Sequence, residues 1–327
     1  MKKFIELHCH LDGTITVEIA KALAALQNIT LTTDDDVELE KLLTVSSDCG
    51  DLNEFLACFD LPVSLLQTRE GLCEAAYLVC EKLHRDGVIY AELRYAPQLH
   101  TSKGLTQEDA ICAVIEGITK STLRTNLILC CMRGEGNEAE NDETVELAKK
   151  YLVKDGGVVA IDLAGAEALY PTQNYADLFA KAKSYGIPFT IHAGEADGPR
   201  SVELAIQYGA ARIGHGTRIR EDETVLQLVK NNNIPLEMCP TSNLQTCAVS
   251  SLSDHPFMDY LKVGLRVTLN TDDPAIEGID PAHEYRLMAE TFDLTAEDEK
   301  TILNNAVDAA FTTDEVKAEL RAALGLN

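Results

Sequence analysis

No apolar stretch in this chain approaches the ~20 residues that cross a bilayer, and cationic residues are scarce. Against 28 Lys and Arg stand 53 Asp and Glu, a formal net charge of −25. That excess repels a phosphate backbone and an anionic membrane surface alike, so neither nucleic acid nor a membrane is an expected partner. Paired cysteines are missing too: the ten cysteines (9, 49, 58, 73, 80, 112, 130, 131, 239, 247) contain no C-x-x-C spacing. They read as small buried hydrophobes in a reducing compartment, and no structural zinc knuckle is indicated. Lys2 and Lys3 precede an apolar run that Glu6 and His8 interrupt, which is not the pattern of a signal peptide. The cytoplasm is the expected location. No low-complexity or linker segment is visible.

What the chain does contain is an alternation of short apolar runs and longer amphipathic ones. Strands are expected over Phe4–Cys9, Val88–Tyr95, Asn126–Met132, Val158–Leu163, Pro188–Ile191, Arg212–Gly214, Ile234–Met238 and Arg266–Leu269. Helical patterns fall between them, at Thr106–Leu123, Asp142–Lys154, Asn174–Tyr185, Arg200–Tyr208 and Thr224–Asn231. Eight strand–helix repeats predict an α/β fold of the (β/α)8 TIM-barrel type, a size the 327 residues suit as a single domain over 1–327. About 75 residues separate the first two strands, far more than the ~30 of a βαβ unit. They hold helical patterns at Thr16–Gln27, Asn53–Leu61 and Arg69–Arg85, a helical insertion at approximately 14–87 over one mouth of the barrel. Phe55 and Phe59 lie one turn apart there, either as core packing or as a substrate-contacting lid. From His283 onward, an Ala- and Leu-rich helical segment is expected to pack outside the barrel.

Strand ends carry the chemistry. In such a barrel the active site lies at the carboxyl ends of the strands, and polar groups gather there: His8 and His10, then Asp162-Leu163-Ala164-Gly165, His192-Ala193-Gly194-Glu195, His215-Gly216, and Asn270-Thr271-Asp272-Asp273-Pro274. Residues two apart on a strand share a face, so His8 and His10 converge while Cys9 points away. Three imidazoles and a carboxylate from separate strands suit zinc, with iron, cobalt or manganese as possible occupants. His8, His10, His192 and Asp272 are the assigned ligands. Glu195, three residues past His192 and beyond a glycine, can stand beside the metal as a proton shuttle. His215, between Gly214 and Gly216, can approach a metal-activated water. Asp272 and Asp273 repel one another unless a cation or a proton intervenes, and Pro274 restricts Asp273 to extended backbone.

These motifs, in this order, closely resemble the adenosine deaminases of the metal-dependent amidohydrolase superfamily. The likeness extends to Tyr90-Ala91-Glu92-Leu93-Arg94-Tyr95, Cys130-Cys131-Met132-Arg133 and Glu54-Phe55-Leu56 with Phe59. It implies one zinc ion per chain that brings the pKa of a water from ~15.7 toward ~7 for attack on purine C6. By the same resemblance Glu195 donates to N1, His215 orients the nucleophile, Asp272 accepts its proton, Asp273 meets N7, the Gly165 N–H meets N3 and Asp12 accepts from the ribose 5′-hydroxyl. Asp12, His10, Gly165 and Asp273 form the substrate-binding set. A purine nucleoside, adenosine or 2′-deoxyadenosine, is the implied substrate in purine salvage, with no protein partner expected. A carboxylate at the 5′ position disfavours AMP. Adenine deamination at the same metal centre, hydrolysis of another ring or amide, and a non-catalytic nucleoside-binding relative are the alternatives. Ala166 stands where the family more often has Asp, and Thr268 where Ser or Ala is usual; neither touches the ligands.

Overall fold

The computed structural model describes residues 2–46, 55 and 57–326. β1 (Phe4–His10), β2 (Val88–Tyr95), β3 (Arg124–Met132) and β4 (Val158–Ala164) pair in parallel as one four-stranded sheet; β5 (His192–Ala193), β6 (Ile213–His215), β7 (Leu236–Met238) and β8 (Val267–Leu269) form a second. Backbone bonds stitch the two sheets at both seams. Asp272 N donates to His8 O at 2.9 Å and His10 N to Asp272 O at 2.8 Å, while Ile161 and Thr190 bond across β4 and the approach to β5. The parallel strands therefore follow one another around the α/β barrel expected from the repeats.

Helices cover the outside of the strands. Between β1 and β2 lie α1 (Val17–Gln27), α2 (Asp36–Leu43), α3 (Asp60–Leu65) and α4 (Arg69–Arg85); then come α5 (Gln107–Lys120), α6 (Glu138–Tyr151), α7 (Ala176–Ser184), α8 (Pro199–Tyr208) and α9 (Glu223–Asn232), one after each of β2 to β6. Local chemistry sets their ends. Thr106 and Asp109 close a reciprocal capping box at the start of α5, and Pro199 opens α8, which Gly209 terminates in the left-handed region. Two short helices, α10 (Pro240–Gln245) and α11 (Phe257–Lys262), precede β8; α12 (Pro281–Phe292), α13 (Ala296–Ala309) and α14 (Asp314–Leu324) follow it.

Three expectations need adjustment. Ladder pairing of the fifth strand falls on His192–Ala193 rather than Pro188–Ile191, because Pro188 has no N–H and Phe189 makes only an isolated bridge to Ile161. The expected helix at Asn53–Leu61 lies partly outside the described residues, Glu54 and Leu56 among them; α3 begins at Asp60. The C-terminal segment does not pack wholly outside. Ala306, Val307, Ala309, Ala310, Val316 and Leu320 cluster with Ile5, Leu7 and Tyr90, closing the end where the strands begin, which would otherwise leave those apolar side chains in water.

Candidate active site

A cavity of about 740 Å³ opens at the carboxyl ends of the strands, and His10, Asp12, Gly165, His192, Glu195 and His215 line it. A bulge in β1 helps to aim its histidines. From Glu6 to Cys9 the strand takes three steps opposite the two from Ala91 to Leu93, and this extra residue turns both Leu7 and His8 inward. Leu7 joins the apolar cluster with Tyr90, while His8 Nδ1 meets Glu237 Oε2 at 2.8 Å. Asp272 and His215 sit in left-handed backbone at φ +74° and +64°; such geometry costs about 1–3 kcal/mol per non-glycine residue and is held by its surroundings.

The expected ligands come together. His8 Nε2 stands 3.1 Å from His192 Nε2 and 3.0 Å from Asp272 Oδ1, and His10 Nε2 stands 3.3 Å from each of the latter two. Donors bonded to a tetrahedral zinc at ~2.0–2.2 Å are roughly 3.3–3.5 Å apart, so the spacing is close to that of a coordination shell. Proton placement decides between hydrogen bonds and a cation. The Nδ1–H of His8 faces Glu237, and that of His192 lies 2.9 Å from Asp162 Oδ2, although poorly aligned with it. Both Nε2 atoms are then bare lone pairs, and Asp272 Oδ1 has no hydrogen-bond donor. Lone pairs aimed at one another in a dry interior are repulsive unless a cation lies between them. His215 also falls within reach of this cluster.

Behind the imidazole cluster runs a ladder of buried charge. Arg94 bridges Asp162 (2.7 Å) and Glu237 (2.7 Å), and Arg212 bridges Glu237 (2.5 Å) and Glu92 (2.6 Å). Burial alone would raise both Asp162 and Glu237, but His192 with Arg94, and Arg94 with Arg212, hold them well below the usual carboxylate range. Counting Asp272, four carboxylates face two guanidinium groups. The excess of two negative charges matches a divalent cation at the imidazoles. His192 responds in the opposite sense: burial pushes it down to about 3, keeping the ring neutral for coordination.

The sequence profile of the family described as Adenosine deaminase matches residues 4–325. The chain belongs to the adenosine deaminase family. An adenosine deaminase from Haemophilus ducreyi is 47% identical over 97% of this chain and 94% of its own length, and one from Clostridium botulinum is 42% identical over 97% and 96%. A solved adenine deaminase from Arthrobacter aurescens is 28% identical and superposes with a TM-score of 0.88, covering 99% of this chain and 98% of that one. The amidohydrolase architecture and the metal-type donor cluster are thus features of an adenosine deaminase relative.

In this adenosine deaminase family member, Glu195 and Asp273 face the cavity from the carboxyl ends of two different strands. Glu195 Oε1 accepts from Asn243 Nδ2 (3.0 Å) and Thr246 Oγ1 (2.9 Å), and its Oε2 is 3.5 Å from His215 Nε2. Burial and then Asp272 push Asp273 well above the usual carboxylate range. Asp12 and Gly165, the latter at φ +99°, line the same wall, and Phe55 and Phe59 lie over it with ring centroids 6.1 Å apart. The aromatic pair is therefore both packed and in contact with the cavity.

Several residues of the site carry no motif. Glu167 accepts the backbone N–H groups of Gly194 (2.7 Å), Glu195 (3.1 Å), Ala196 (2.8 Å) and Asp197 (3.0 Å), and the Ser201 hydroxyl (2.6 Å), which pins the turn presenting Glu195. Ser242 donates to Asp272 Oδ2 at 2.7 Å. Glu237 had one signal available, a lone charge inside an otherwise apolar strand, which in a barrel means an inward partner of opposite sign.

Proposed function

We propose that the protein hydrolyses adenosine, and 2′-deoxyadenosine, to the corresponding inosine and ammonia, with one zinc ion held by His8, His10, His192 and Asp272. The observation that carries this reading is the meeting of bare Nε2 lone pairs with an unpartnered Asp272 oxygen at the foot of the cavity. When bound, the ion supplies Lewis acidity that makes water a nucleophile near neutral pH.

The chain's own groups handle the protons. Glu195 Oε1 is engaged by two donors, so the proton for purine N1 belongs on Oε2; its transfer makes C6 electrophilic. His215 Nε2 faces the same space and donates to the oxygen that adds to C6. Asp272 Oδ2, steadied by Ser242, accepts the proton that the water gives up. The oxygen stays on C6 and the C6–N bond breaks; one water proton passes by way of Asp272 to the departing amine, which leaves as ammonia, and the other restores Glu195, whose own proton remains on N1. N7 is an acceptor, so its contact with Asp273 requires a carboxyl proton, in keeping with the upward push on that group.

Asp12 supports a nucleoside over its neighbours. Its carboxylate repels a 5′-phosphate and has no partner on a free base. Ammonia release from adenosine, adenine and AMP by zinc-loaded protein, with a chelated control, tests the reading: turnover of adenosine alone, lost on chelation, is expected, whereas turnover of adenine alone would overturn the role of Asp12. Glu195→Gln should lower kcat by about 10²–10⁴-fold while zinc content and nucleoside affinity persist; unchanged turnover would remove Glu195 from the mechanism.

A further inference from the structure

His215 lies close enough to the imidazole cluster to be a fifth ligand, yet its role as a donor requires the proton on Nε2. Which nitrogen holds that proton depends on what Nδ1 meets. Asn243 Nδ2 lies 3.1 Å from His215 Nδ1 and 3.0 Å from Glu195 Oε1, so one amide group spans the two residues. Asn243 is fully buried, and its Oδ1 faces the Thr217 hydroxyl at 3.0 Å and His255 Nε2 at 3.2 Å.

The direction of this chain is set by a group that cannot flip. The backbone N–H of Phe257 donates to His255 Nδ1 at 3.3 Å. With Nδ1 accepting, a neutral His255 has its only N–H on Nε2, aimed at Asn243; burial and Arg220 push the ring down to about 3, so it carries no second proton. Asn243 must then present its oxygen to His255 and its NH2 to Glu195 and His215. Reversing the amide would set NH2 against the His255 N–H and the carbonyl oxygen against the Glu195 carboxylate.

Resting on the deamination reading above, we infer that Asn243 is a positioning residue: it holds His215 as the Nε2–H tautomer, a donor to the reacting oxygen instead of a metal ligand, and fixes Glu195 Oε1 so that Oε2 carries the mobile proton. Three directional bonds, from Phe257 through His255 and Asn243 to His215, carry the constraint across the pocket wall. His215 then has no free lone pair at Nε2 for a metal, although its ring is within reach.

The test reads the tautomer directly. Zinc-loaded protein labelled with ¹⁵N-histidine gives long-range ¹H–¹⁵N correlations, and the His215 signals are those missing from His215→Asn. Wild type should show Nε2 protonated and Nδ1 bare. Asn243→Asp keeps the acceptor for Thr217 and His255 but offers His215 an acceptor too, so the pattern should invert, and kcat for adenosine should fall by about 100-fold with KM changed far less. If Asn243→Asp does not yield folded, zinc-loaded protein, two variants one step back decide: His255→Gln supplies an amide N–H to Asn243 and should retain the tautomer, whereas His255→Leu should give mixed tautomers and lower kcat. Nδ1 protonation in wild type, or an unchanged tautomer in Asn243→Asp or His255→Leu, would overturn the inference. Wild-type protein with the expected tautomer and no turnover of adenosine would refute the substrate reading and leave the positioning intact.

Discussion

Gly13 leaves no room for a side chain: a Cβ there would stand 1.8 Å from Asp273 Oδ1 and 2.8 Å from its Cβ. The glycine is thus a mould for the neighbouring strand end, and its carbonyl accepts the N–H of Ala275 at 2.9 Å. Because Asp273 precedes Pro274, which restricts its backbone, and its own N–H is held by Glu277 Oε1 at 3.1 Å, it has little freedom to retreat. Gly13→Ala should therefore act as a lesion of Asp273. The expected result is a fall in kcat/KM of about 10-fold or more with zinc content unchanged, measured by steady-state kinetics and metal analysis; full activity would mean that Asp273 does not depend on this contact.

Elements place the polar residues that the site depends on, and α10 enters without a side-chain cap of its own. Its second residue, Thr241, gives its backbone N–H to Glu284 Oε1 on α12 at 3.1 Å, and the same short helix carries Ser242 and Asn243 to Asp272 and Glu195. Burial first of all, opposed by the Thr241 bonds, raises Glu284 from the ordinary 4.5 to about 7. Below 4.5 folded and unfolded chains both hold the proton, and stability is greatest. Between 4.5 and about 7 the unfolded chain releases it and the folded one does not, so stability falls as pH rises and then levels. Gln at this position keeps an acceptor for Thr241 without ionising. The difference in unfolding free energy between Glu284→Gln and wild type should grow in favour of the variant from pH 5 to pH 8, by on the order of 3 kcal/mol. A constant difference across that range would show that Glu284 ionises normally.

The strand ends that carry the donor cluster were legible because a parallel barrel puts every strand's carboxyl end on one face, so His8, His192, His215 and Asp272 could be grouped from their positions alone. Capped helices such as α4 and α5 were legible for a similar local reason. Six-residue α10 and α11 were not, since they are too short to show a helical period, nor was the contact of Phe311 with Glu92 beneath the barrel. Asn243, His255 and Glu167 escaped because their partners lie far away in sequence and each is an ordinary polar residue in its own surroundings. A direction of hydrogen bonding, unlike a ligand type, is written only in the assembled neighbours.

At the scale of the whole molecule, the metal-type cluster at one end of the barrel is tied to the C-terminal helices at the other. His8 rests on Glu237, Glu237 on Arg212, and Arg212 on Glu92, on the Ala309 carbonyl (2.9 Å) and over the Phe311 ring (3.9 Å to its centre); the Phe311 N–H returns to Glu92 at 2.6 Å. His8, Glu237, Arg212 and Glu92 are each excluded from water, so a missing partner leaves a bare charge without solvent to screen it. Arg212→Met should accordingly cost about 3–5 kcal/mol in stability and, by releasing Glu237 from one side, weaken zinc retention against a competing chelator. The surface pair Arg321–Asp308 provides the contrast: Arg321→Ala should change stability by no more than ~1 kcal/mol and leave zinc retention alone. Chemical denaturation and chelator competition on both variants separate the two cases. Equal small losses would mean that the ladder is solvated in solution; a stability loss at Arg212 with zinc retention untouched would mean that the C-terminal helices support the barrel without reaching the ligands.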